Sequence, residues 1–357
     1  AVGLDALTAN TTGSVNTAVG MNGLIANTTG VRNVSVGAAA LDANTTGDDN
    51  VAIGYAALSG NTTSDLNTAV GTNALLVNTT GASNVAVGAY VLDANTTGTH
   101  NTAVGYEALS ANTTATGNAA FGQSSLKTNT TGTSNTGLGG QALQTNSTGS
   151  SNTAVGVLAL YANETASNNT AVGFEALRRN TTGINNVALG ALALDANTTS
   201  SYNIAIGYGA LTGAHTGGYT VAVGTNAASA NTSGTNGVFV GYHAGYLNTT
   251  GSSNVAVGTE ALDANTTGAT NIAVGNGALG ANTTASNNTA VGHDALTANT
   301  TGADNVAVGY QALSTATAGS ANVAVGGEAL AANTAINNTA VGHKSAYTNT
   351  TGTQNSA

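Results

Sequence analysis

AVGLDALTANTTGSVNTAVG (residues 1–20) states a phrase and returns to it seventeen residues later. The glycine that closes the phrase stands at Gly3, Gly20, Gly37, Gly54 and Gly71 and keeps strict register to Gly326. One further copy closes at Gly342, a residue early, because the loop ANTAINN (332–338) is one residue short. Twenty-one copies of seventeen residues account for all 357. A period this short and strict predicts stacked coils, each packing only on its neighbours. The chain therefore reads as a single array over 1–357, an all-β parallel β-solenoid or β-roll.

Composition agrees with that class. Forty-nine glycines, no proline, no cysteine and 6% charged residues are unlike a typical enzyme, yet 41% apolar residues in a fixed period give the chain a core. A net charge of −10 leaves no basic footprint for nucleic acid. No apolar run approaches the ~20 residues of a membrane span. The single methionine is Met21 and no signal peptide is evident, so the residues read as a mature or internal portion of a longer product.

Numbering each copy from its closing glycine as zero assigns the positions. Position −1 is apolar in every copy, −2 is Ala except at Ser35, Gly137 and Phe239, and −4 is mostly Asn, as at Asn16, Asn33 and Asn50. A short β-branched phrase bounded by Asn and Gly predicts one strand per coil. The zero glycine suits a positive φ or a close approach to the next coil. Leu fills +4 in eighteen copies, and ANTTG then has turn composition.

The stretch NGVFVGYHAGYLNTTG (236–251) decides which side faces in. There the small −2 residue becomes Phe239 while the large +4 residue becomes Gly245. Bulk gained at one site and lost at the other requires a shared interior. Strand alternation then turns −1 and −3 outward. An outward stripe that is never polar, represented by Val19, Val36, Ile53, Val70, Val87 and Val104, predicts contact between chains. Two large apolar residues in seventeen make a thin core, so ladders of main chain and stacked Asn, and a shared stripe, have to contribute. The expected partner is the chain itself, as a homo-oligomer with rotational symmetry about a fibre axis. Uncapped terminal coils predict head-to-tail polymerisation or further repeats.

The repeated N-[TV]-A-[VI]-G, followed by A-L and a polar turn with Gly, resembles the head repeats of YadA-like trimeric autotransporter adhesins. Similar repeats occur in phage and virus tail-fibre proteins. The resemblance covers the whole chain and implies a left-handed parallel β-roll, three chains around one axis, and an extracellular or cell-surface fibre binding matrix, host surfaces or glycans. The coil here is longer than the usual head repeat by about an NTTG loop. These residues hold no neck, heptad stalk, membrane anchor or self-cleaving chaperone domain. A viral tail-fibre shaft for receptor binding is the alternative, and an ice-binding solenoid a second, though flat T-x-T ranks are missing.

The turn phrase also fits the N-x-[ST] glycosylation pattern. It does so at Asn10, Asn27, Asn44, Asn61, Asn78, Asn95, Asn112, Asn129, Asn146, Asn163, Asn180, Asn197, Asn231, Asn248, Asn265, Asn282, Asn299 and Asn349. Sugar at these sites competes with a plain turn reading, since rungs ~4.8 Å apart would crowd glycans.

Other chemistry is sparse. His100, His215, His243, His293 and His343 are scattered and read as solvent-facing spacers. Asp42, Asp93, Asp195 and Asp263 at +5 lack the pattern of calcium-binding rolls. Tyr55, Tyr106, Tyr208, Tyr242 and Tyr310 at +1 read as amphipathic surface residues or adhesive contacts. No nucleophile–base or paired-carboxylate arrangement recurs, so no catalytic residue, metal or cofactor is expected.

Overall fold

The computed structural model describes residues 1–357, which fall into two compact units, Ala1–Thr182 and Gly183–Ala357. Each is a parallel β-solenoid with one three-residue strand per coil. The first unit holds β1 (Thr17–Val19) to β10 (Thr170–Val172), the second β11 (Val187–Leu189) to β20 (Thr339–Val341). Within each unit the strands pair in register, so that Thr17, Ala18 and Val19 lie beside Val34, Ser35 and Val36. The copy ending at Gly3 contributes only the bridge Val2–Val19. The structure contains no helix, and so none that could cross a membrane.

Hydrogen bonds between coils do not stop at the strands. Leu41 N donates to Ala57 O at 3.0 Å, Ala39 N to Met21 O at 2.8 Å, and Thr45 N to Thr62 O at 2.8 Å. The turns are thus laddered as well as the strands, and within each unit an inner coil bonds to the coil before it and the coil after it.

Four positions of a regular coil carry positive φ, as Gly37 (135°), Ala39 (54°), Leu41 (52°) and Asp49 (57°) do in one copy. Only the first was expected. A β-carbon at Gly54 would lie 2.5 Å from the carbonyl oxygen of Gly71, so close approach as well as backbone angle demands glycine there. Leucine at +4 in the left-handed region costs about 1–2 kcal/mol per coil. It is held there by complete burial of its side chain, as at Leu41, Leu58 and Leu75, which recovers about 1.5–3 kcal/mol.

The interior is narrow. It is filled by Ala at −2, Ala and Leu at +3 and +4, and Asn at −4 and +7. The exchange at 236–251 is as expected and extends further. The Phe239 ring fills the space that a β-carbon would need at both Gly245 and Gly237, the latter standing where other coils place the −4 Asn. Two further exchanges run between coils. Ser35 at −2 faces Gly23 at +3 of the preceding coil, and Gly137 at −2 faces Ser125 at +3 of the preceding coil. Their hydroxyls are satisfied, Ser35 Oγ by Ala40 O at 2.8 Å and Ser125 Oγ by Gly137 O at 3.0 Å.

This packing predicts a compensating pair. Phe239→Ala is expected to cost about 3–5 kcal/mol through the cavity it leaves, and Gly245→Leu to be strongly destabilising by collision with the ring. The double variant, which restores the regular residues at −2 and +4, should recover a large part of the loss in urea unfolding monitored by circular dichroism. Additive losses would show that the two positions do not share one space.

Candidate assembly face and interior asparagine ladders

Strand alternation builds two surfaces of opposite character. Inward, Ala at −2 is buried in every strand that carries it; outward, −1 and −3 lie partly or fully open. Of the stripe residues, Val19, Val36, Ile53 and Val87 are 36–40% exposed, and Val70 and Val104 are half-buried. In-register pairing sets these side chains in one row within each unit, Val36 beside Ile53 and Ile53 beside Val70. The −3 row adds Val34, Val51, Thr68 and Val85. A folded chain on its own leaves this face uncovered.

The polar interior is carried by two ranks of asparagine. The +7 side chains bond along the stack: Asn44 Nδ2 donates to Asn27 Oδ1 at 3.0 Å and to Gly47 O at 3.0 Å. At −4, Asn33 Nδ2 reaches across its own coil to the same carbonyl, Gly47 O, at 2.8 Å. Its Oδ1 accepts from Asn50 N of the next coil at 2.9 Å. One loop carbonyl at +10 thus receives both amides and closes the coil. Sequence reasoning saw the stacking of Asn but not this brace, because the fourteen residues between Asn33 and Gly47 hide the contact.

These bonds place the sequon amides inside the coil, where the plain turn reading puts no sugar. Every sequon Asn from Asn27 to Asn299 is buried, and its Nδ2, the atom a glycan would occupy, points inward as a donor. Asn10 and Asn349 are half-buried, but their amides donate to Gly13 O and Gly352 O in the same way. The letters N-T-T serve the coil: Asn braces it, and the first Thr hydroxyl donates to the next rung, Thr28 Oγ1 to Thr45 O at 3.0 Å.

One histidine departs from the spacer reading. His215 is wholly buried, with neither ring nitrogen hydrogen-bonded. In its coil Ala214 takes +7 and turns outward, and the ring one residue later occupies the interior. Burial lowers its pKa from 6.5 to about 4; the Asn231 backbone opposes the shift without reaching either nitrogen in bonding geometry. The remaining histidines are on the surface, and His243 lies between Tyr242 and Tyr246, with ring centroids at 3.9 and 4.5 Å.

The outward tyrosines Tyr55, Tyr106, Tyr208, Tyr242 and Tyr310 are all exposed, and Tyr202 stacks on Tyr219 one coil away at 5.1 Å. Burial raises the carboxyl pKa of Asp42, Asp93 and Asp263, whereas the bond from Arg32 lowers that of Asp49. Ion pairs tie coils at the surface: Arg32 to Asp49 at 2.5 Å, Lys127 to Glu107 at 2.6 Å and Lys344 to Glu328 at 3.6 Å. Solvent screens such exposed pairs, so they add little to stability.

Comparison with known proteins adds no further assignment: no protein-family model and no curated protein matches the chain.

Asn44→Ala is expected to destabilise by about 2–3 kcal/mol, since it strips Asn27 Oδ1 of its donor inside the coil. The surface change Thr46→Ala should fall within about 0.5 kcal/mol. Folded protein secreted by a cell with N-glycosylation machinery should keep the 34.2 kDa mass of its sequence. Sugar on folded material at Asn44 would contradict the inward amide.

Proposed function

We propose that the chain is a non-enzymatic structural repeat protein of an extracellular fibre, and that it self-associates through the −1/−3 sheet face. The observation that carries this reading is the uncovered apolar row on Val19, Val36 and Ile53, opposite an interior already filled by Ala and Leu. A row that is apolar in every copy has no use on a face meant for water, and burying it adds the large-side-chain contacts that each narrow coil lacks. Copies of one chain joined by rotational symmetry would cover the row with itself. The N-[TV]-A-[VI]-G phrase relates the chain to YadA-like adhesin heads; three chains per assembly, a cell-surface setting and adhesion to matrix or host surfaces belong to this proposal. The laddered turns support a mechanical role, because separating two coils requires breaking bonds around the whole coil.

Light scattering coupled to size exclusion tests the reading at micromolar concentration. The native chain is expected to run as a closed oligomer, and the triple variant Val36→Glu, Ile53→Glu and Val70→Glu as a monomer with its circular dichroism unchanged. A monomeric native chain, or a triple variant that assembles like the native one, would overturn it.

A further inference from the structure

The second unit contains one place where both asparagine ranks fail together. Between Gly207 and Gly224 the +7 amide is replaced by Ala214 and His215, and the −4 amide by Thr220, whose hydroxyl is buried without a partner. The next coil has Gly237 in place of its −4 Asn. Asn231, in the rung above His215, accordingly donates only to its own loop, to Gly234 O at 3.3 Å. Elsewhere a rank is interrupted alone: Ala316 replaces a +7 Asn, yet the −4 rank continues there, with Asn322 N on Asn305 Oδ1 at 3.0 Å.

We propose that the coil between Gly207 and Gly224 is an acid-labile joint in the ladder: a proton taken up by the His215 ring drives it out of the interior and opens this coil while coils beyond its immediate neighbours stay closed. The chemistry follows from what surrounds the ring. An imidazolium needs two acceptors or a carboxylate close by, and the interior supplies neither. No Asp, Glu, Lys or Arg occurs from residue 196 to residue 259. In the two coils packed against His215 the single carboxylate is Asp195, which is half-buried at +5. The other titratable groups nearby, Tyr202, Tyr208 and Tyr219, are on the outer surface; His243 lies in the second coil beyond.

An unfolded histidine titrates near 6.5 and this one near 4. Between those values the opened coil binds a proton that the closed coil refuses, so closure weakens as pH falls. At pH 5 the opening constant of this coil should be about 30-fold above its value at pH 7.5. The coils holding Asp42, Asp93 and Asp263 respond in the opposite sense, because burial already favours their protonated carboxyls. Acid would thus expose the edges of β12 (Ile204–Ile206) and β14 (Val238–Val240) on either side of β13 (Val221–Val223). This inference concerns the interior and does not depend on self-association.

Hydrogen exchange read by mass spectrometry at pH 7.5 and 5.0, corrected for intrinsic rates, tests it on the full chain. Amides of 207–241 should lose about 30-fold in protection at pH 5, while those of the first unit and those after 258 hold. Two variants should abolish the change: His215→Asn, which removes the titrating ring, and Ala214→Asn with His215→Thr, which restores N-T-T-G at +7 to +10. Equal protection of the native 207–241 amides at the two pH values would overturn the proposal whatever the variants do. So would a loss spread evenly along the chain, or a pH response that persists in either folded variant.

Discussion

A buried amide or peptide group in this solenoid finds its partner mainly in the adjoining coil, and that constraint fixes the period. The coil satisfies only part of its own polar groups, so Asn44 also needs Asn27 and Asn33 receives the main chain at Asn50. A slip of one residue along the interior would leave both ranks and the main-chain ladder unpaired at once, at about 1–3 kcal/mol for each buried group. The one deletion shows where slack exists. In 332–338 the missing residue comes out of the loop between the two ranks, Asn333 Nδ2 takes Ala335 O at 3.1 Å, and Asn338 N regains Asn322 Oδ1 at 3.0 Å. The strands recover register immediately, Val323 beside Thr339.

The same narrowness governs side-chain size. Opposing positions exchange atoms rather than add them: Gly23 with Ser35, Ser125 with Gly137, and Phe239 with Gly237 and Gly245 together. A close-packed interior of this kind permits variation only in correlated sets. Each coil also stores strain, since Leu at +4 and the residues at +2 and −5 sit at positive φ. Burial and inter-coil hydrogen bonding together hold those angles, so a coil that lost either would have reason to relax.

The period, the strand and the inward side of the strand were legible in the sequence because each repeats at fixed spacing. The Phe239/Gly245 exchange alone identified −2 and +4 as sharing one space. What escaped reading has a common physical cause: contacts distant along the chain or hidden by composition. Asn, Thr and Gly are turn formers in any context, so N-T-T-G read as an exposed loop with a glycosylation pattern, although its Asn is the most buried part of the turn. The brace from −4 to the +10 carbonyl spans most of a coil. His215 passed as a spacer because the shift that puts Ala214 outside and the ring inside is a local slip that no neighbouring residue type announces.

The two sides of the strand divide the work of specifying and enlarging the structure. Inward amides are directional: they define which residue meets which on the next rung, and a wrong pairing leaves a buried group unsatisfied. Outward Val, Ile and Leu are non-directional and tolerate one another's shapes, which suits a face that has to repeat rung after rung with varied residues such as Phe121, Leu138 and Leu189. An apolar interior alone would fill the coil without fixing its register. A polar outward face would fix nothing further. Hydrogen-bonding specificity thus sits inside the coil and the adaptable apolar row outside, the reverse of the usual globular arrangement.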